Sequence, residues 1–113
     1  VPSLECHPLK NIPFQVKDDE GATPLCHAAF WTHVDVAKDL IDAGADVNAQ
    51  RRIDGFTPLH VAAKNNQPRM INLLVGARAD LNVQEDFGDT PLHWAYRSKA
   101  TECIEILLAA GAD

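Results

Sequence analysis

The chain is poor in the residues that build ring-stacked cores and bind phosphate. Aromatic residues make up only 6% of it, which argues against a core of large rings. Lys and Arg number 10 against 16 Asp and Glu, a net charge of −6. That deficit argues against nucleic acid as a partner, because phosphate binding needs a basic surface. It argues equally against an anionic membrane surface. No apolar run approaches the ~18 residues of a membrane-spanning helix, and no leader pattern is visible after Val1. Cysteine is limited to Cys6, Cys26 and Cys103. An odd number, widely spaced and without a CxxC pair, argues against a disulfide framework. It fits a reducing compartment, so an intracellular location, cytoplasmic or nuclear, is expected. Gly-rich phosphate loops, nucleophile elbows and usable carboxylate pairs are also missing, so catalysis is not expected.

What the chain does have is self-similarity. Thr57-Pro58-Leu59-His60 combines a helix-capping hydroxyl, a proline suited to the first helical position and an apolar face. Thr23-Pro24-Leu25-Cys26 precedes it by 34 residues and Thr90-Pro91-Leu92-His93 follows it by 33. A second block recurs at the same offsets, as Ala43-Gly44-Ala45-Asp46, Ala77-Arg78-Ala79-Asp80 and Ala110-Gly111-Ala112-Asp113. The one-residue difference falls between Asn48 and Gly55, in a loop that tolerates insertion. Each unit reads as helix, turn, helix and extended loop. The middle unit is predicted to hold helices from Pro58 to about Lys64 and from about Pro68 to Gly76. The second helices present Ala37, Leu40 and Ile41, then Ile71, Leu74 and Val75, then Ile104, Leu107 and Leu108. A 46% apolar chain of 113 residues can fold as one domain, and stacking such units buries the faces that none can bury alone.

The T-P-L-H-x-A block, the period of about 33 and the G-A-D-V-N block resemble the ankyrin repeat family. The resemblance covers residues 20–113 and implies an all-α ankyrin-repeat solenoid, stacked helix-turn-helix units with β-hairpin loops. Residues 1–19 are then a non-repeat lead-in, with repeats at about 20–53, 54–86 and 87–113. The third unit stops short of the period, and neither end shows a polar capping repeat. A piece of a longer array or of a multidomain protein is therefore expected.

The resemblance also implies a function, protein–protein recognition as an adaptor or regulatory module. The alternative is a structural spacer packed against its own chain in a multidomain enzyme or channel. No cofactor is implied, and the partner is another protein, with the chain itself monomeric. Family members bind through a concave helical face and hairpin tips. By equivalence the face comprises His27, Phe30 and Trp31, then Val61, Lys64 and Asn65, then Trp94, Arg97 and Ser98. The tips are Glu20 and Ala22, the stretch from Arg51 and Arg52 to Phe56, and Glu85 to Asp89 with Phe87. Trp31 and Trp94 have two readings, as interface anchors or as packing residues. Asn48 and Asn82 resemble sites of asparaginyl hydroxylation in this family, beside the plainer role of holding the loops.

Several positions depart from the pattern. Cys26 stands where His60 and His93 recur, and the family's His ties neighbouring turns, so the first unit is expected to lack part of that network. Thr32 and Lys99 occupy a turn position that favours glycine, as does Arg78 at the Gly44 and Gly111 position. Tyr96 replaces the second Ala of Ala28-Ala29 and Ala62-Ala63. His60 and His93 lie in separate repeats and read as scaffold. Cys6-His7 and Cys26-His27, with His33 nearby, are zinc-type ligands, but adjacent residues chelate poorly and the spacing fits no standard module, so no metal is expected.

Overall fold

The computed structural model describes residues 23–112; the lead-in, the Cys6-His7 pair, Glu20 and Ala22 lie outside that range. Among the described residues six helices follow in order: α1 Pro24–Phe30, α2 Val34–Asp42, α3 Pro58–Lys64, α4 Pro68–Gly76, α5 Pro91–Arg97 and α6 Thr101–Ala109. They form three antiparallel pairs. The first helices α1, α3 and α5 pack on one another in sequence, and α2, α4 and α6 form the second layer.

Capping chemistry sets the start of each first helix. Thr23, Thr57 and Thr90 are extended, and each hydroxyl accepts the N–H three residues on at 3.3 Å. Proline then occupies the first helical position, where no N–H is needed. The ends are set by left-handed residues. Thr32, Asn66 and Lys99 have φ of 60°, 56° and 56°, which lets the N–H of the next residue reach back to Ala28, Ala62 and Ala95. Arg78 has φ 67°, in the place that Gly44 and Gly111 fill at 97° and 102°. All three non-glycine departures therefore adopt the glycine-favouring geometry expected of them.

Leu25, Leu59, Ala29, Ala62, Ala63 and Ala95 are fully buried, because the first helices need small residues to approach closely. On the second helices the buried set is shifted from the expected face. Met70, Ile71 and Leu74, and Cys103 and Leu107, are fully buried, whereas Leu108 is 48% exposed. Leu108 lies about 100° round the helix from Leu107, on its flank. Tyr96 is 55% exposed where the equivalent Ala29 and Ala63 are fully buried. A following first helix packs on α1 and on α3, and among the described residues nothing plays that part for α5.

The loops after α2 and α4 fold back as tight hairpins. Arg51 N–H donates to the Phe56 carbonyl at 2.8 Å, and Glu85 N–H to the Asp89 carbonyl at 3.0 Å. Gly55 and Gly88 turn the chain with φ of 79° and 85°, and no β-strand arises among the described residues. Adjacent loops are stitched together: Asn48 Oδ1 accepts Asp80 N–H at 2.7 Å, and Asp86 N–H donates to the Asp54 carbonyl at 2.9 Å. The Gln50 side-chain amide adds donors to the Gly55 and Gln84 carbonyls.

His60 joins helix to loop. Its Nδ1 accepts Thr57 N–H at 3.1 Å, so the ring proton sits on Nε2 and donates to the Asp89 carbonyl at 2.9 Å. His93 repeats the local half of this with Thr90 N–H at 3.0 Å. Cys26 lacks a ring; its Sγ reaches only the Ala49 carbonyl at 4.0 Å, a weak contact. Burial pushes the thiols of Cys26 and Cys103 up, keeping both protonated.

Two measurements check this account. Thr32→Gly removes a left-handed β-branched residue, and should leave stability unchanged or raise it by up to about 1 kcal/mol in urea unfolding. His60 is held neutral, its pKa pushed below the ordinary value chiefly by burial. The unfolded chain protonates first as pH falls through that ordinary value, so stability is present above it and lost below it. Unfolding free energy should fall between about pH 7.5 and pH 5, and His60→Gln should flatten that slope.

Candidate functional site

Between the loop tips and the first-helix layer lies an open groove of about 560 Å³. Asp54, Phe56, Glu85, Phe87, Asp89, Trp94 and Arg97 line it. The second and third units alone supply these residues. Phe56 closes the first hairpin, Glu85, Phe87 and Asp89 belong to the second, and Trp94 and Arg97 project from α5.

The floor is aromatic. Phe56 is only 5% exposed, with its ring centroid 5.3 Å from that of Trp94 and 5.4 Å from that of His60. Cations cover these rings. Lys64 Nζ lies 5.8 Å from the Phe56 centroid and 5.6 Å from that of Trp94, and the Arg97 guanidinium lies 4.9 Å from that of Trp94. Arg51 lies 5.5 Å from the Phe56 centroid. The rim is Phe87, 85% exposed, the most open large apolar side chain described.

Each lining carboxylate has donors of its own. Glu85 is buried, and its Oε1 accepts Phe87 N–H at 2.7 Å and Asp89 N–H at 3.0 Å. Its Oε2 accepts the Trp94 indole N–H at 3.4 Å. Asp54 accepts Phe56 N–H at 3.0 Å and pairs with the Arg51 guanidinium. Burial alone would push the Asp54 carboxyl up, but the Arg51 and Phe56 donors outweigh it and hold it below the usual range. Arg97 pairs with Asp89 at 2.8 Å, which lowers the Asp89 carboxyl and raises the guanidinium.

The structure divides the sequence-predicted residues into groups. Phe56, Phe87, Trp94 and Arg97 line the groove, and Arg51 and Lys64 lie over its rings. His27, Phe30 and Trp31 are exposed at the first unit, away from it, with Phe30 and Trp31 edge to face at 4.9 Å. Arg52 and Asn65 are exposed but do not line the groove, and Val61 is buried. Asn48 acts as a strut to Asp80, and Asn82 N–H is held by Asp80 Oδ1 at 3.0 Å. Glu85 is the residue sequence reasoning placed least well: grouped with the tips, it organises its hairpin from inside. Gln50 and Gln84 were also missed, although their 34-residue spacing was a visible signal. Among the described residues no group of three His, Cys, Asp or Glu could hold a metal ion.

Comparison with known proteins decides the family. Residues 48–113 match the profile described as "Ankyrin repeats (3 copies)" and residues 20–52 that described as "Ankyrin repeat". The chain belongs to the ankyrin repeat family. It is 37% identical over 99 residues to inversin of Gallus gallus, covering 87% of this chain and 9% of that protein. It is 38% identical over 103 residues to the transient receptor potential channel pyrexia of Drosophila melanogaster, 91% of this chain and 11% of that one. Human neurogenic locus notch homolog protein 2 is 32% identical over 129 residues, 85% and 5% of the two chains. The chain thus spans a small part of each relative's length. Ankyrin repeats are in general non-catalytic protein-interaction modules. No described helix is long and apolar enough to cross a membrane.

Gly55 fixes the groove's hairpin. Its φ is +79°, and an added Cβ would stand 2.6 Å from Asp86 Oδ1 and 3.0 Å from Asp86 N. Gly88 has φ +85° but meets only Gln84 Nε2, at 3.9 Å. Gly55→Ala should therefore cost about 2–3 kcal/mol in urea unfolding and Gly88→Ala about 1 kcal/mol, the smaller figure being backbone strain alone.

Proposed function

We propose that this ankyrin domain is a recognition module of a larger protein, which binds a protein partner through the groove of its second and third repeats and the adjoining hairpin tips. The observation that carries the reading is Phe87. A phenyl ring 85% exposed beside a 560 Å³ groove has no packing role, and an aromatic rim over an aromatic floor is typical of interface anchors. Trp94 and Arg97 extend the surface, and Phe30 with Trp31 offers a second apolar contact on the first repeat. The domain acts as an intracellular monomer without catalytic activity. Asn48 and Asn82 serve the loops, and hydroxylation of either is a separate, additional proposal.

The spacer reading rests on a different observation, the exposure of Tyr96 and Leu108 on the outer side of the third repeat. A neighbouring part of the same protein would cover them. The two readings separate by mutation. In the full-length protein, Phe87→Ala should lower partner capture about tenfold with the circular dichroism spectrum unchanged, and Leu108→Ala should leave capture intact. Capture that is indifferent to Phe87→Ala, with a loss of thermal stability on Tyr96→Ala or Leu108→Ala, would favour the spacer.

A further inference from the structure

We propose that the groove receives an acidic segment of the partner, seating an Asp or Glu side chain between Lys64 and Arg97. The inference rests on the recognition reading above and adds the partner's chemistry.

Charge is unevenly distributed between the helical layers. The first helices contain no Asp or Glu, and they carry His27, Lys64 and Arg97. The helical carboxylates stand on the other layer, as Asp35, Asp39 and Asp42 on α2 and Glu102 and Glu105 on α6. Lys38 and Arg69 share the second layer with those acids, so it is the absence of helical carboxylates beside Lys64 and Arg97 that sets the first layer apart. The acids that line the groove do not reverse this. Asp54 is bonded to Arg51 and Phe56 N–H, Glu85 to two backbone N–H groups and the Trp94 indole, and Asp89 to Arg97. A cationic ligand would meet carboxylates that already hold a guanidinium, an indole N–H or backbone N–H donors.

An anionic ligand has cations with spare capacity to meet. Among the described residues Lys64 makes no ion pair within 4.0 Å, though its charge helps to lower the Asp54 carboxyl; the residue is exposed, with its ammonium near the Phe56 and Trp94 rings. Arg97 is about half exposed and meets Asp89 through Nη1, and a guanidinium has five donors in all. Lys64 Nζ and the Arg97 guanidinium lie 5.6 and 4.9 Å from the Trp94 centroid, which makes this indole the place proposed for the carboxylate. Phe87 beside it supplies an apolar wall for a neighbouring aliphatic or aromatic side chain. The occupant is thus an extended peptide that combines carboxylates with an apolar anchor.

The test is selection of a random peptide display library, about 12 residues long, on the intact chain. Binding is mapped by the NMR shift of the Trp94 indole N–H. The expected result is enrichment of Asp and Glu beside an apolar residue, a shifted Trp94 signal, and affinity that falls about tenfold in Lys64→Glu. Lys64→Gln provides a milder variant, and affinity should also weaken as salt rises. Selected peptides that shift Trp94 but are neutral or basic, or bind Lys64→Glu as well as the parent, would overturn the acidic segment and leave the recognition groove standing. Recovery of no peptide, or of peptides that leave Trp94 unshifted, would overturn both.

Discussion

Helices of seven and nine residues cannot persist alone, since isolated helices below about 12 residues are marginal in water. Every other feature of this chain follows from that constraint. Stability has to come from stacking one pair on the next. Stacking in turn demands small residues in the first helices, which is why Ala29, Ala62, Ala63 and Ala95 are fully buried. It also demands satisfied polar groups at the seams, where a lost hydrogen bond costs most. His60 meets that need with a single neutral ring: it closes its own helix start at Thr57 and reaches across to the next loop at Asp89. The ring's tautomer is thereby fixed by backbone geometry.

The positions that repeat are thus committed to holding the stack, and the groove falls to those that differ. Equivalent sites in successive repeats hold Phe56 and Asp89, Val61 and Trp94, Lys64 and Arg97. The groove is made from these mismatches. Phe56 supplies a floor where the next repeat supplies a carboxylate, and Trp94 fills the space above it because its counterpart Val61 is short and buried. Glu85 then fixes the arrangement from within, with one carboxylate bonded to two hairpin N–H groups and the indole.

The scaffold was legible from residue types because its physics is local. Thr-Pro at a helix start and Gly at a helix end act within four or five residues, and their recurrence removes the ambiguity of a single copy. Even the positive φ of Thr32 followed from its register against the other copies. The groove was half legible. Equivalence grouped Phe87, Trp94 and Arg97, which line the groove, but nothing in the spacing brought Glu85 beneath Trp94 or placed Phe56 under Lys64. Those contacts depend on how far one loop lies from the next helix, a distance no periodicity encodes. The burial of Met70 and Cys103 escaped for a related reason. A period of 3.6 residues fixes a stripe's width better than its centre, and the neighbouring first helix sets the centre.

The unevenness of the stitching bears on where the site is. Among the described residues, the loops after the first and second repeats are joined by Asn48 to Asp80, Gln50 to Gln84 and Asp54 to Asp86, and His60 adds a fourth tie. In the first repeat the residue in the place of His60 makes only the weak Cys26 to Ala49 contact, within its own unit. In a one-dimensional array stability is roughly a sum of unit and neighbour terms, so opening starts where the neighbour term is smallest. Asn48 and Gln50 tie the first repeat's loop to the second, so the weak point is confined to α1, away from the seam between the second and third repeats. A groove at that seam needs little further ordering when a ligand enters, which lowers the entropic cost of binding. Substitution of Cys for His at position 26 therefore leaves the groove's own seam untouched, because the bond that seats the Asp89 loop comes from His60.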